Sequence, residues 1–153
     1  MEFTLRRAVS GDRPRISALF AELLQAVYGA SDTKRYSGSD TDYYFSGGRD
    51  WICLAETADE TAGFLSMEVH DDTGGYIYLD DFCVTARYRG MGAGKLLIAA
   101  AESYARSLNI GMIALHVEKS NSLARSFYER RGFTIYRDEG TRLCLVKDVE
   151  GEK

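Results

Sequence analysis

The segment "YRGMGAGKLL", residues 88–97, has the residue types and spacing of a phosphate-binding turn. Glycines at positions 90, 92 and 94 alternate with larger residues, and an apolar helical pattern follows directly. Glycine lowers the stability of regular structure, so three glycines within five residues indicate a backbone that bends tightly or that a ligand approaches closely. Where such a bend opens a helix, the free N–H groups and the helix dipole favour an anion. Arg89 adds a permanent positive charge.

Three phosphate-binding patterns can be compared with this segment. A Walker A loop, GxxxxGK[ST], requires glycine where the chain has Arg89. A dinucleotide-binding GxGxxG loop requires its third glycine where the chain has Lys95 or Leu97. The pattern [R/Q]xxGx[G/A] fits, with Arg89, Gly92 and Gly94 at its fixed positions. A glycine-rich turn that binds no ligand stays open as the alternative.

A second segment, "NSLARSFYERRGF", follows the pattern NxxAxxFYxxxGF from Asn121 to Phe133. In spacing and order, the two segments together resemble the GNAT superfamily of N-acetyltransferases. There the first segment is the pyrophosphate loop and the second is a helix that contacts the coenzyme. The preceding "IYLDDFCV" narrows the resemblance to the branch of diamine (spermidine/spermine) acetyltransferases. The N-terminal third, where this family sets acceptor preference, leaves the acceptor open.

The resemblance implies a single GNAT domain over residues 1–153. Its fold is α+β (α/β), with a mixed, mostly antiparallel sheet of about seven strands and about four helices. Acetyl-CoA is the implied co-substrate, with no metal, and the acceptor is a small-molecule amine (a polyamine, a diamine or an amino-acid-like amine). A homodimer is also implied. Two alternatives stay open: a non-catalytic acyl-CoA-binding or sensing module, and an acetyltransferase of protein N-termini or lysines.

Amine acetylation requires proton transfers that two residues are expected to perform. An alkylamine with a pKa of about 10 is protonated at neutral pH and cannot attack a thioester. By resemblance, Asp80 occupies the position of a glutamate proposed to accept this proton and contact the amine. Aspartate is one methylene shorter, so it is expected to act through a water. Tyr128 matches the family's proton donor to the coenzyme sulfur. A solvated carboxylate and a packing tyrosine are the structural alternatives.

The resemblance also assigns coenzyme contacts, mostly to the backbone. The end of the strand before the loop is expected to pair with the pantetheine amides, and the N–H near Val84 to stabilise the oxyanion. Asn121 is expected to cap its helix and contact pantetheine. Asp81 is expected to be structural or to contact the substrate's charge. The expected coenzyme-binding residues are Phe82, Cys83, Val84, Arg89, Gly90, Met91, Gly92, Ala93, Gly94, Lys95 and Asn121.

Hydrophobic periodicity predicts the elements that position these residues, in the order β-α-α-β-β-β-α-β-α-β-β. The aromatic and acidic stretch between residues 29 and 48 reads as a loop with a short helix near 40–45. Within it, the aromatic and acidic segment from Tyr36 to Phe45 forms either the acceptor pocket or a plain surface loop. The strand over 76–84 has two faces by alternation. One face carries Tyr76, Tyr78, Asp80, Phe82 and Val84.

Composition excludes other function classes. The formal net charge of −4 argues against non-specific nucleic-acid binding. The sequence has no run of about 18 apolar residues, so a membrane-spanning helix is not expected. Cys53, Cys83 and Cys144 form no CxxC pair and read as reduced thiols, which together with the absence of a signal-peptide pattern predicts a cytoplasmic protein. His70 and His116 read as structural, which disfavours a Cys–His hydrolase.

Overall fold

The computed structural model describes residues 2–29, 35–72 and 74–150. Seven strands form one sheet in the order β1-β2-β3-β4-β5-β7-β6. The strands are β1 Thr4–Arg7, β2 Trp51–Glu56, β3 Thr61–His70, β4 Tyr76–Val84, β5 Met112–Glu118, β6 Thr134–Asp138 and β7 Arg142–Asp148. The α-helices are α1 Arg13–Tyr28, α2 Ala93–Ser107 and α3 Ser122–Arg130, and 3₁₀ helices cover Ser10–Asp12, Ser39–Phe45 and Ala86–Tyr88.

Internal contacts group the chain into two compact units. The first unit comprises residues 1–68 and 81–100, and the second comprises 69–80 and 101–153. Strand β4 contributes its first half to the second unit and its end to the first. The single domain inferred from the sequence stays a prediction.

The first unit combines β1, β2 and most of β3 with helix α1 and the first half of α2. Both β1–β2 and β2–β3 pair antiparallel. Pro14 lies in the first turn of α1, where its missing N–H is not needed. The apolar residues of α1 recur every three or four positions, so they share one face. That face joins a buried cluster that includes Ile16, Leu19, Ile52, Leu54 and Phe64.

The second unit is built around β5. This strand pairs in parallel with β4 and antiparallel with β7, which in turn pairs with β6. Ile113 and Leu115 of β5 and Leu143 and Leu145 of β7 are buried on one face of this sheet. Strand alternation leaves the residues between them on the opposite face.

The predicted element order is confirmed, with one refinement. The short helix expected near residues 40–45 is a 3₁₀ helix, Ser39–Phe45. Residues 30–34 of the predicted loop lie outside the described residues. No helix in the described ranges has the length and apolarity needed to cross a membrane.

Candidate active site

The glycine segment of the first unit joins the end of β4 to α2. After the 3₁₀ turn Ala86–Tyr88, the backbone takes positive φ at Gly90 (77°) and Gly92 (99°), and α2 begins at Ala93. The helix's first hydrogen bond runs from Leu96 N–H to the Gly92 carbonyl at 3.2 Å. Within the described chain, no acceptor pairs with the backbone N–H groups of residues 90–95. These donors lie at the positive end of a 15-residue helix, an arrangement that favours a bound anion.

Arg89 and Glu22 fix the entry to this turn. Glu22 of α1 accepts hydrogen bonds from Thr85 Oγ1 at 2.7 Å and from the Ala86 N–H at 3.0 Å. The Arg89 guanidinium donates to the Val84 carbonyl at 2.9 Å and contacts Glu22 at 3.4 Å. Because about half of the Arg89 side chain is exposed, its charge is open to a solvent-borne anion.

The end of β4 lies close against β3. A Cβ atom added at Gly63 of β3 would lie 2.5 Å from the Cys83 carbonyl oxygen, a contact that only glycine permits. The Cys83 thiol is buried and donates to the Leu19 carbonyl at 3.1 Å. Burial raises the pKa of this thiol to about 12, so it stays protonated and is a poor nucleophile at neutral pH.

Asp81 is enclosed in a network of the first unit. Its carboxylate accepts hydrogen bonds from the Arg35 guanidinium at 2.9 Å and from the Tyr36 hydroxyl. Its backbone N–H donates to Ser66 Oγ at 2.8 Å. Tyr36 is fully buried, and this burial, with the neighbouring carboxylate, raises the pKa of its phenol. Both Asp81 and Tyr36 are therefore held by the fold, which supports the structural role expected for Asp81.

In the second unit, the other face of β4 carries Tyr78 and Asp80, both half-buried. The Tyr78 hydroxyl lies 2.6 Å from Nδ1 of His116, and Nε2 of His116 lies 3.1 Å from Oε1 of Glu139. A Tyr78–His116–Glu139 network thus crosses from β4 through β5 to the residue that follows β6.

A ligand atom of His116, one of Glu139 and Cys144 Sγ lie within 4.8 Å of one another. Nitrogen, carboxylate and sulfur are zinc donors. However, Nε of Arg142 donates to the same Glu139 oxygen at 3.3 Å, which puts a positive charge beside the position that a cation would take. We therefore interpret His116, Glu139 and their neighbours as a hydrogen-bonded network and not as a metal site.

Tyr128 and Asn121 lie on α3 of the second unit. The Tyr128 side chain is 8% exposed and packs edge-on against Phe127 and Phe133. Burial raises the pKa of its phenol, so the hydroxyl keeps its proton throughout the neutral range. Oδ1 of Asn121 accepts a hydrogen bond from the Ala124 N–H at 3.2 Å, which confirms the predicted N-cap.

The family follows from a direct comparison. A model described as the Acetyltransferase (GNAT) family matches residues 17–133, more than half of the chain. The chain belongs to the GNAT acetyltransferase family. Its glycine segment and α3 both fall within the matched range.

Relatives and solved structures agree with this family. The chain is 41% identical over 64 residues to the uncharacterized N-acetyltransferase YycN of Bacillus subtilis (strain 168), matching 42% of this chain and 40% of that one. It is 31% identical to the 5-NmdU N-acetyltransferase of Pseudomonas phage PaMx11, and the match covers 83% of this chain and 90% of that one. It is 28% identical to human spermidine/spermine N(1)-acetyltransferase-like protein 1, and the match covers 92% of this chain and 22% of that one. The chain thus spans less than half of the first and third relatives.

The GNAT fold is confirmed by solved structures. The PaiA N-acetyltransferase of Thermoplasma acidophilum, solved in complex with coenzyme A, superposes with a TM-score of 0.79 at 18% identity. The superposition covers 97% of this chain and 99% of that chain.

The site residues expected of this GNAT chain divide between its two units. Phe82 to Val84 and residues 89–95 belong to the first unit, whereas Asp80, Asn121 and Tyr128 belong to the second. The network around His116 was missed, because the sequence analysis interpreted a histidine within a strand as structural. His116 lies between Leu115 and Val117, which are both buried, so its side chain is on the opposite and less covered face of β5. This alternation was the feature of the sequence that could have indicated an accessible histidine.

Proposed function

We propose that the protein is an acetyl-CoA-dependent N-acetyltransferase that acetylates a small-molecule amine. The observation that carries this proposal is the row of unpaired N–H groups over residues 90–95, at the N-terminus of α2. Such a row matches the needs of a pyrophosphate, which carries several acceptor oxygens and negative charge. Arg89 adds a partly exposed positive charge at the same turn.

The proposed chemistry is a direct attack of the amine on the thioester. Asp80 contacts the ammonium and takes part in its deprotonation through a water. The N–H near Val84 stabilises the oxyanion, and the buried, protonated phenol of Tyr128 returns a proton to the departing thiolate. Asp81 keeps Arg35 and Tyr36 in place, and any role in substrate binding is secondary to that one.

Among acceptors, we favour polyamines, diamines and amino-acid-like amines. The motif resemblance to diamine acetyltransferases supports this class, as does the similarity to a human protein named as spermidine/spermine N(1)-acetyltransferase-like. Cytoplasmic location, a homodimer and a single domain belong to the same proposal, and light scattering tests the dimer.

Coenzyme binding is tested by a pair of glycine variants. Gly92 and Gly140 have similar φ angles of 99° and 94°, and neither would place a Cβ within 4 Å of another group. Alanine at either position therefore introduces similar backbone strain, on the order of 1–2 kcal/mol. By calorimetry, Gly92→Ala is expected to weaken CoA binding at least tenfold and Gly140→Ala to leave it unchanged. Equal affinities, or no heat with the unmutated protein, would contradict the proposal.

Catalysis is tested by following free thiol with acetyl-CoA and a panel of polyamines, diamines, amino acids and peptides. Tyr128→Phe is expected to lower kcat about 100-fold while CoA affinity is kept. Tyr136→Phe removes a hydroxyl from a residue that is 61% exposed and serves as the matched control. Tight CoA binding without acceptor-dependent thiol release would favour the sensing module. Release with peptides alone would favour a protein acetyltransferase.

A further inference from the structure

The Tyr78–His116–Glu139 network has a defined direction of hydrogen bonding. Hydrogen bonds of the Glu139 carboxylate to His116 and Arg142, together with their charges, hold the pKa of Glu139 below its usual value. An ionised carboxylate only accepts hydrogen bonds, so Nε2 of His116 carries the proton that it donates. In the neutral imidazole, Nδ1 is then the acceptor and the Tyr78 hydroxyl is its donor. These tautomers are assigned from the network.

The network begins where β4 and β5 separate. Parallel pairing covers Ile77↔Ile113 and Tyr78↔Ala114, and among the described residues it does not continue to Leu79 or Asp80. Strand alternation puts the Tyr78 side chain on the same face as that of Asp80, the expected amine contact. The phenol of Tyr78 is thus a group on this face whose hydroxyl is hydrogen-bonded to an imidazole.

The network ends at the surface. The side chains of His116 and Glu139 are 21% and 26% exposed, so a proton delivered to His116 is close to solvent. His116 faces Tyr78 from β4, Cys144 from β7 and Glu139 after β6. The nearby charged groups are the guanidinium of Arg142, bound to Glu139, and Arg137, which is opposite Cys144 across β6 and β7. Glu139 is therefore the direct counter-ion of a protonated His116.

Resting on the function proposed above, we propose that His116 is the base that receives the proton of the attacking amine, through the hydroxyl of Tyr78. The ammonium N–H bond breaks and its proton joins the Tyr78 oxygen, while the Tyr78 proton moves to Nδ1 of His116. The amine keeps the electron pair with which it attacks the thioester. The resulting imidazolium is paired with the Glu139 carboxylate and returns the proton to water. Asp80 then takes part in the deprotonation by attracting and orienting the ammonium through its water, and not as the proton acceptor.

The hydrogen-bonding direction is tested without any substrate. The chain has only two histidines, so His70→Gln identifies the ¹⁵N resonances of His116 in a long-range ¹H–¹⁵N spectrum of the full protein. We expect a protonated Nε2 and an unprotonated Nδ1 at pH 8. Tyr78→Phe should shift the Nδ1 resonance, because it removes that atom's donor. A protonated Nδ1, or a resonance unmoved by Tyr78→Phe, would overturn the proposal.

The role in catalysis is tested by the pH dependence of kcat/KM. A histidine base predicts a rate that falls as pH decreases, because the protonated imidazole can no longer accept the proton of the amine. His116→Gln should lower kcat/KM roughly 100-fold at pH 7 and remove this acidic limb. Tyr78→Phe should likewise lower kcat/KM and remove the acidic limb. His70, whose imidazole stacks on Tyr76, is the control: His70→Gln should retain both kcat/KM and its acidic limb.

The outcomes separate this inference from the proposed function. If the unmutated protein acetylates an amine and His116→Gln keeps the acidic limb, the relay is wrong and the transferase stands. If no amine is acetylated, the proposed function fails, and the ¹⁵N spectrum still tests the network. CoA calorimetry and thermal unfolding of each variant verify folding. A His116→Gln protein that binds CoA normally and still acetylates at the unmutated rate would overturn the proposal outright.

Discussion

Strand β4 bears two tyrosine networks that use similar groups in opposite ways. In the first unit, Tyr36 and Arg35 donate to Asp81; Tyr36 is fully buried and the Asp81 side chain is 14% exposed, whereas the Arg35 side chain is partly exposed. In the second unit, Tyr78 donates to His116, which donates to Glu139 near the surface. The first network contains a guanidinium, which stays charged, whereas the second contains an imidazole, a side chain that can act as a base.

This difference shows how burial and charge type separate structural groups from chemical ones. Asp81 carries a charge that is mostly buried, and the Arg35 guanidinium beside it compensates that charge. A histidine side chain, in contrast, can serve as a general acid or base. The Asp81 network is thus expected to control stability, and the Tyr78 network the reaction.

The largest expected effect follows from breaking the Asp81 network. Asp81→Asn removes the carboxylate charge that faces Arg35 and weakens the acceptor of the Tyr36 hydroxyl. We expect the free energy of unfolding, measured by urea denaturation, to fall by about 3 kcal/mol. Glu139→Gln is the matched change in the second network and should lower it far less, because that carboxylate lies at the surface. Equal losses would mean that the two networks do not differ in this respect.

A slightly smaller effect is expected from crowding the first unit beside the same strand. Gly63→Ala would place a methyl group 2.5 Å from the Cys83 carbonyl, a backbone atom that cannot rotate away. The free energy of unfolding should fall by about 2 kcal/mol, the typical cost of overpacking. Gly11→Ala is the control, since a Cβ there meets nothing within 4 Å. If Gly63→Ala were as stable as Gly11→Ala, the close approach of β3 to β4 would be wrong.

Much of this arrangement was predictable because it depends on local patterns. Alternation along residues 76–84 separates Tyr78 and Asp80 from Asp81 and Cys83, and burial of Ile77, Leu79 and Cys83 confirms it. Glycine spacing likewise predicted the turn before α2, and the side chain of Asn121 predicted the cap of α3.

The partners of these residues were not predictable, because they come from distant parts of the chain. Asp81 meets Arg35 from 46 positions earlier, and Tyr78 meets His116 from 38 positions later. Hydrophobic periodicity tells which face a residue occupies but not which strand lies beside it. The order β4-β5-β7-β6 decides that His116 and Glu139 become neighbours.

A still smaller difference is expected between matched tyrosine variants. Tyr36→Phe removes a buried hydroxyl that donates to a carboxylate, so the free energy of unfolding should fall by about 1.5 kcal/mol. Tyr78→Phe removes a half-buried hydroxyl that donates to a neutral ring, so a loss of about 0.5 kcal/mol is expected. Urea denaturation of both variants measures the pair. A larger loss for Tyr78→Phe would reverse the assignment of stability to the first network.

The smallest expected effect is the acid response of the Tyr78 network. Because hydrogen bonding to His116 holds the pKa of folded Glu139 below its usual value, the ionised carboxylate stabilises the fold above the pKa that it has in the unfolded chain. This contribution is lost as pH falls through the folded pKa. Urea denaturation of Glu139→Gln and the unmutated protein should therefore differ slightly at pH 6 and converge by about pH 2. In 1 M salt, where the screening length is about 3 Å, the difference should shrink. A salt-independent difference that persists at pH 2 would place Glu139 in a closed network like that of Asp81.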